Sequence, residues 1–392
     1  MAFQISAETA DDLTLTPATA NVGCLRGFIG SFGLLGLVVG GGLLWLRSAV
    51  GADPVNLAAG AFLVMGLGFV VLSLFASFNP STGIAAFVFD RHLGAVRVRS
   101  DSAPFGPPTE AYLAYANITG LDVETRSQSG SGGSNRSSRT TYTYHVVLRL
   151  RDGASWLLTS DSTRDAADAQ RLRLATALVP RPDAGPDLVV PAPELPPQVK
   201  RSTRGGATSL RWHNPVTRQE VGGKLALLGG FGGVLGLFFT IIHSQQVPWF
   251  AYGVLGFIAL MFALIAVTQI RRLRQDATHS YGLEFGPEAV AYFEEVLTTG
   301  QETHRERVAR ADWYGLSYSF DATAGENEAV LLLTIAAHVQ YLEQQQVGSL
   351  GKGLSLLLEK NQSRTLRFKN FSPVQRLAVV NWVQAEVGGW GC

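Results

Sequence analysis

Four uncharged apolar runs, at residues 27–46, 55–78, 225–242 and 249–270, constrain this chain more than any other feature. Each is about as long as the ~20 residues an α-helix needs to cross a ~30 Å hydrocarbon layer. They fall in two close pairs, and each pair reads as a helical hairpin. The expectation is an α+β membrane protein with four transmembrane helices. The rest of the 392-residue chain leaves room for two small water-facing domains, and 46% hydrophobic with 16% charged residues suits such a mixture.

Where the basic residues fall sets an expected orientation. The turn at residues 47–54 balances Arg47 against Asp53, and the turn at 243–248 carries no Lys, Arg, Asp or Glu. The opposite ends are basic: Lys200, Arg201, Arg204, Arg211, Arg218 and Lys224 lead into the third run, and Arg271, Arg272 and Arg274 close the fourth. The positive-inside rule then puts both termini and both large polar segments in the cytoplasm, beneath an inner membrane crossed four times. An excess of Arg over Lys, with abundant Ala and Gly, suits a GC-rich bacterial source. The nine basic residues named are candidates for topological anchoring and for anionic lipid headgroups, worth about 1 kcal/mol each near a charged surface. Residues 1–23 carry Glu8, Asp11 and Asp12 and neither Lys nor Arg, so they read as a polar cytoplasmic tail rather than a secretory signal.

The chain also repeats itself. Residues 113–121 align with 308–316, pairing Asn117 with Asp312 and Gly120 with Gly315, and residues 145–159 align with 354–368. Both members of the second pair read as strand, tight turn, strand. A closing helix follows in each half, over residues 163–178 and from Ser372, where Ser372, Pro373 and Gln375 form a capping-box pattern. The expected organisation is a tail (1–23), a transmembrane hairpin (24–80), a β domain (81–178), a Pro-rich then basic linker (179–220), a second hairpin (221–272) and a second β domain (273–392). Pro180, Pro182, Pro186, Pro191, Pro193, Pro196 and Pro197 make the first part of the linker a semi-rigid, extended spacer.

Short antiparallel strands at residues 87–99, 113–123 and 145–159, then a helix after Ser162, recur at 281–293, 308–319 and 354–368 with a helix after Ser372. This pattern resembles the tandem pleckstrin-homology-like (PH-like) domain membrane proteins of bacteria. The resemblance implies two small β-barrels, each closed by its C-terminal helix and each preceded by a transmembrane hairpin.

Chemistry is hard to find. The seven histidines are scattered, and Cys24 and Cys392 sit at opposite ends, so no metal site is expected. No apolar run holds an acid or base of the kind transport needs. Residues 348–353 lack Walker spacing, and the net charge of +1 gives no reason to expect a nucleic-acid partner. Gly33, Gly36 and Gly40, with Gly229, Gly232, Gly233 and Gly236, form small-xxx-small patterns suited to close helix packing, within the four-helix unit or against another membrane protein. No catalytic, cofactor or metal residues are assigned and no enzyme is expected. The expected role is a non-catalytic integral membrane scaffold whose PH-like domains bind proteins or lipid headgroups. Membrane lipids and other membrane proteins are the expected partners. The alternative is an accessory subunit of a respiratory or photosynthetic membrane complex. A transporter or membrane enzyme comes third.

Overall fold

The structure is a computed structural model. It describes residues 3–17, 83–100, 106–107, 109–129, 140–180, 190–214, 249–321, 330–335, 363–369 and 371–388, with isolated positions 31, 34, 38, 216, 221, 222 and 224. The chain divides into two compact units. One joins residues 1–19, 81–214 and 279–392; the other joins 20–80 and 215–278.

The first unit begins with β1 (Phe3–Glu8), β2 (Asp12–Pro17), β3 (Ala86–Asp90), β4 (Ala95–Arg99) and β5 (Glu110–Ala114), an antiparallel meander in chain order. Alternation explains it: Leu13 and Leu15 of β2 face Phe89 and Phe87 of β3, which face Val96 and Val98 of β4. All six are buried, and the polar residues between them turn outward. Residues 3–17 are therefore the first two strands of a sheet and not a tail. A 3-10 turn, η1 (Tyr115–Asn117), leads to β6 (Ile118–Ser129), β7 (Thr140–Leu150), β8 (Ser155–Asp161) and the helix α1 (Arg164–Ala177).

The C-terminal half follows the same order. β9 (Val199–Arg204) and β10 (Ala207–His213) form a hairpin whose two-residue turn, Gly205-Gly206, has φ of 59° and 79°. Two successive positive φ values are the type I′ geometry that suits strand twist. After α2 (Trp249–Thr278) come β11 (His279–Phe285), β12 (Ala289–Val296) and β13 (Glu302–Ala309), giving the sheet order β13-β12-β11-β10-β9. Then follow η2 (Arg310–Asp312), β14 (Trp313–Tyr318), β15 (Phe320–Asp321), β16 (Val330–Thr334), β17 (Ser363–Leu366) and α3 (Pro373–Val387). The segments around η1 and η2 share their backbone course. Ala114 and Ala309 sit at φ/ψ of −60°/140° and −59°/143°, and a bulge follows at Ile118/Gly120 and at Trp313/Gly315.

This architecture corrects the expected fold class. Among the described residues the chain is predominantly β, with four sheets and three α-helices. Among them, too, no helix is long and apolar enough to cross a membrane. The expected four transmembrane helices, the transmembrane character of the chain and its multi-pass inner-membrane placement fall together. The runs 27–46, 55–78 and 225–242 lie outside the described residues apart from isolated positions, as do all seven candidate packing glycines, Gly33 to Gly40 and Gly229 to Gly236. The fourth run lies in α2, which exposes Phe257, Leu260, Leu264, Ile265 and Ile270. The physical reason for the correction is that run length reports apolar surface in need of cover and does not say what covers it.

The two halves share one core. β15 runs parallel to β8, pairing Phe320 with Trp156, so the C-terminal half adds a strand to the N-terminal half's second sheet. Phe320 lies 6.0 Å from Phe87 and 5.9 Å from Trp156, centroid to centroid, and the Trp156 indole N–H donates to the Tyr318 carbonyl at 2.8 Å. The two closing helices differ accordingly. α1 buries only Ala167, Leu174 and Ala177 and turns its charged residues outward. α3 is apolar nearly all round and buries nine residues, because it packs on β14 of its own half and on β5 of the other. Its start carries the full capping box: the Ser372 hydroxyl accepts from the Gln375 N–H at 3.2 Å, and the Gln375 side-chain oxygen accepts from the Ser372 N–H at 3.0 Å. Ser372→Ala should lower stability by about 1 kcal/mol in urea unfolding, whereas Ser372→Asp, which keeps a capping acceptor, should cost less.

Candidate functional site

A cleft of about 660 Å³ opens in the first unit, where β5, α3 and residues 190–194 converge. β5 is the outer strand of its sheet, with β4 as its neighbour. Ala111 and Leu113 are buried, and Glu110, Ala111, Tyr112 and Ala114 line the cleft.

α3 supplies the facing wall with side chains three or four apart, the spacing of one helical face. Gln375 Nε2 donates to the Gly106 carbonyl at 2.9 Å, and Asn381 Nδ2 donates to the Tyr112 carbonyl at 2.5 Å. Side-chain amides thus hold one carbonyl on the outer edge of β5 and one in the segment before it. Ala378 lies between them and Ala385 one turn beyond Asn381, and both line the cleft with small side chains. Gln384 follows on the same face; its Nε2 is shielded from solvent and makes no hydrogen bond.

The third wall is Val190, Pro191, Ala192, Pro193 and Glu194. Two of these five residues are prolines and lack an N–H. Two carboxylates line the cleft, Glu110 and Glu194, and no Lys or Arg does. Arg99 contacts Glu110 from the side at 2.8 Å, and the Tyr112 hydroxyl donates to Glu110 at 3.3 Å. Partial burial, reinforced by the nearby Glu110 charge, pushes the Tyr112 phenol above its ordinary pKa, so it stays a neutral donor.

The most perturbed carboxyl lies elsewhere. Asp152, in the β7–β8 turn, is 1% exposed, and burial pushes its pKa up to about 6. It accepts from the Ala154 N–H at 2.8 Å, and the Ser317 side chain and Tyr318 backbone of the other half also bond to it. A carboxyl so shifted has the character of a catalytic group. Here its partners are structural donors, and it holds the two halves together.

The basic residues singled out from sequence are dispersed. Lys200, Arg201 and Arg204 lie exposed on β9. Arg201 stacks over Trp382 at 5.0 Å and pairs with Glu386 at 3.5 Å. Arg211, on β10, pairs with Glu295 at 3.0 Å and lies 5.3 Å above the Phe293 ring, which Arg305 covers from another side at 5.8 Å. That ring lies flat across Gly282, where a Cβ would sit 2.2 Å from it. Lys224, Arg271 and Arg274 belong to the second unit, where Arg271 and Arg274 are exposed on α2. Arg272 lies in the same helical turn, and Arg218 is outside the described residues.

None of the cleft residues was a candidate from sequence. Residues 179–198 read as a spacer, yet their described part forms a wall. The available signal was α3 itself, whose apolar residues face all directions and so require cover on two sides. Among the described residues no group of three His, Cys, Asp or Glu is placed to hold a metal ion. No protein-family model matches the chain, and no curated protein matches it in sequence.

Proposed function

We propose that this protein is a non-catalytic scaffold that binds protein partners through the cleft between β5 and α3. The observation that carries this reading is the make-up of the walls: alanine and proline surface with a few polar groups, Glu110, Glu194 and the unbonded Gln384 amide, the mixture that holds and orients a ligand. The PH-like resemblance of the sequence adds support, since five strands, then further strands, then a helix recur in both halves. Tagged full-length protein, purified under mild conditions and sized, should elute with stoichiometric partners identified by mass spectrometry. Elution alone, with no partner recovered at physiological salt, would sink the reading.

A second reading is an accessory subunit of a larger assembly. It is favoured by the apolar row on α2, where Phe257, Leu260, Leu264 and Ile265 are each more than half exposed. Exposed apolar patches of this kind mark interaction surfaces. Cross-linking that joins α2 to a second protein within a purified complex would favour it over a free-standing scaffold.

A further inference from the structure

We propose that the outer edge of β9 takes up an extended, acidic segment of a partner protein as an added strand. No residue of β9 lines the cleft, so this surface is separate from it and goes beyond the cleft reading.

The edge is open. β9 ends its sheet, with β10 as its strand neighbour. Lys200, Arg201, Ser202, Thr203 and Arg204 are all exposed, so side chains on both faces of the strand meet solvent. The hairpin fixes which main-chain groups look outward. Gly205-Gly206 joins the paired residues Arg204 and Ala207, and the pair flanking a two-residue turn exchanges both main-chain hydrogen bonds. Counting back by twos, Ser202 and Lys200 also turn their N–H and carbonyl groups toward β10, and Arg201 and Thr203 turn theirs outward. Val199 follows the same alternation: its N–H donates away from β10, to the Pro196 carbonyl at 2.9 Å. Among the described residues nothing bonds to the main-chain groups of Arg201 and Thr203, whereas Asn381 occupies the Tyr112 carbonyl on β5.

The charge on this edge is uncompensated. β9 and β10 carry Lys200, Arg201, Arg204 and Arg211 and neither Asp nor Glu. Arg201 is engaged by Glu386 and Trp382, and Arg211 by Glu295. Lys200 and Arg204 pair with no carboxylate among the described residues. Glu284, two strands away in the row of Ser202, is held by Arg305 at 2.7 Å. Lys200 and Arg204 share one face, on either side of Ser202, and four residues of strand span about 13 Å. One compact anion does not reach both. An extended chain with Asp or Glu at positions four apart does.

Two other occupants fit less well. A second copy of β9 would set like charges side by side, the usual guard of a basic edge against self-pairing. Phosphate groups accept from the outward N–H groups but leave the Arg201 and Thr203 carbonyls unmatched. An extended peptide supplies donors and acceptors in alternation, as strands added to sheet edges do.

The test uses the full chain and fluorescently labelled octapeptides with blocked ends: alternating Glu-Thr, the same with Lys for Glu, and the same with Pro for Thr. Fluorescence anisotropy should show the Glu-Thr peptide binding more tightly than either variant, by about tenfold. The Lys200→Gln/Arg204→Gln double substitution, both at exposed positions, should weaken it by about tenfold and leave the unfolding temperature unchanged. Thr203→Pro removes an outward N–H and no bond to β10, so it should weaken binding by about as much. The Pro-for-Thr peptide makes the same deletion on the ligand's side, so the comparison holds even where Thr203→Pro unsettles the hairpin. Equal binding of the Lys-for-Glu or the Pro-for-Thr peptide overturns the inference. So does tighter binding to anionic phospholipid vesicles, or to a single-stranded oligonucleotide, that Lys200→Gln/Arg204→Gln removes; the edge is then a patch of charge alone. Either failure leaves the cleft reading standing, because these probes and variants act on β9.

Discussion

Trp156→Ala should lower the stability of the β unit by about 3–5 kcal/mol, the usual cost of truncating a fully buried tryptophan. Trp156 is 0% exposed and makes edge contacts with Tyr318 at 5.6 Å and Phe87 at 5.7 Å, centroid to centroid. Removing the indole opens a cavity between the halves and leaves the buried Tyr318 carbonyl without its donor. Trp156→Phe keeps most of the volume but not the N–H, so it should cost less than half as much. Urea unfolding followed by circular dichroism checks both. Equal stability of the alanine variant and the wild type would mean that Trp156 does not tie the halves together.

Asp152→Ala should cost about 2–4 kcal/mol at neutral pH, because the Ala154 and Tyr318 N–H groups and the Ser317 side chain lose their acceptor in the interior. The cost should also depend on pH. Burial raises the Asp152 pKa from 3.8 to about 6, so between those values the folded chain binds more of this proton than the unfolded chain does. The stabilisation from that proton is fully present below pH 3.8 and is lost as pH rises through about 6. The gap in stability between wild type and Asp152→Ala should therefore be wider at pH 4 than at pH 7.5, by about 3 kcal/mol at most. A gap that stays flat across this range would show that Asp152 is not enclosed at the junction.

Local patterns reached some of the fold and missed the rest for identifiable reasons. The β7–β8 hairpin announces itself through Asp152-Gly153, and Gly153 does adopt a positive φ of 84°. The α3 cap is legible because a capping box is a four-residue signal. β1–β2 went unread because acidic residues suggested a tail, although Leu13 and Leu15 alternate with polar neighbours as a strand requires. β9–β10 was hidden the same way by its basic residues, despite Gly205-Gly206 at the turn. The four long apolar runs drew the fold class toward the bilayer and away from this period-two signal. The cleft was beyond local reading. Gly106 and Gln375 stand 269 residues apart in sequence, as do Tyr112 and Asn381, and no short-range pattern joins them. The junction formed by β15 on β8 is equally non-local, since Trp156 and Tyr318 are 162 residues apart.

The parallel pairing of β15 with β8 bears on how the chain is made. A ribosome delivers β8 long before β15, so for that interval the nascent N-terminal half carries a naked strand edge beside an uncovered tryptophan. Such an edge is a template for illicit pairing with other chains. A fragment stopped before the second half should precipitate, or need a chaperone's shelter, even though all of its own sheets could form.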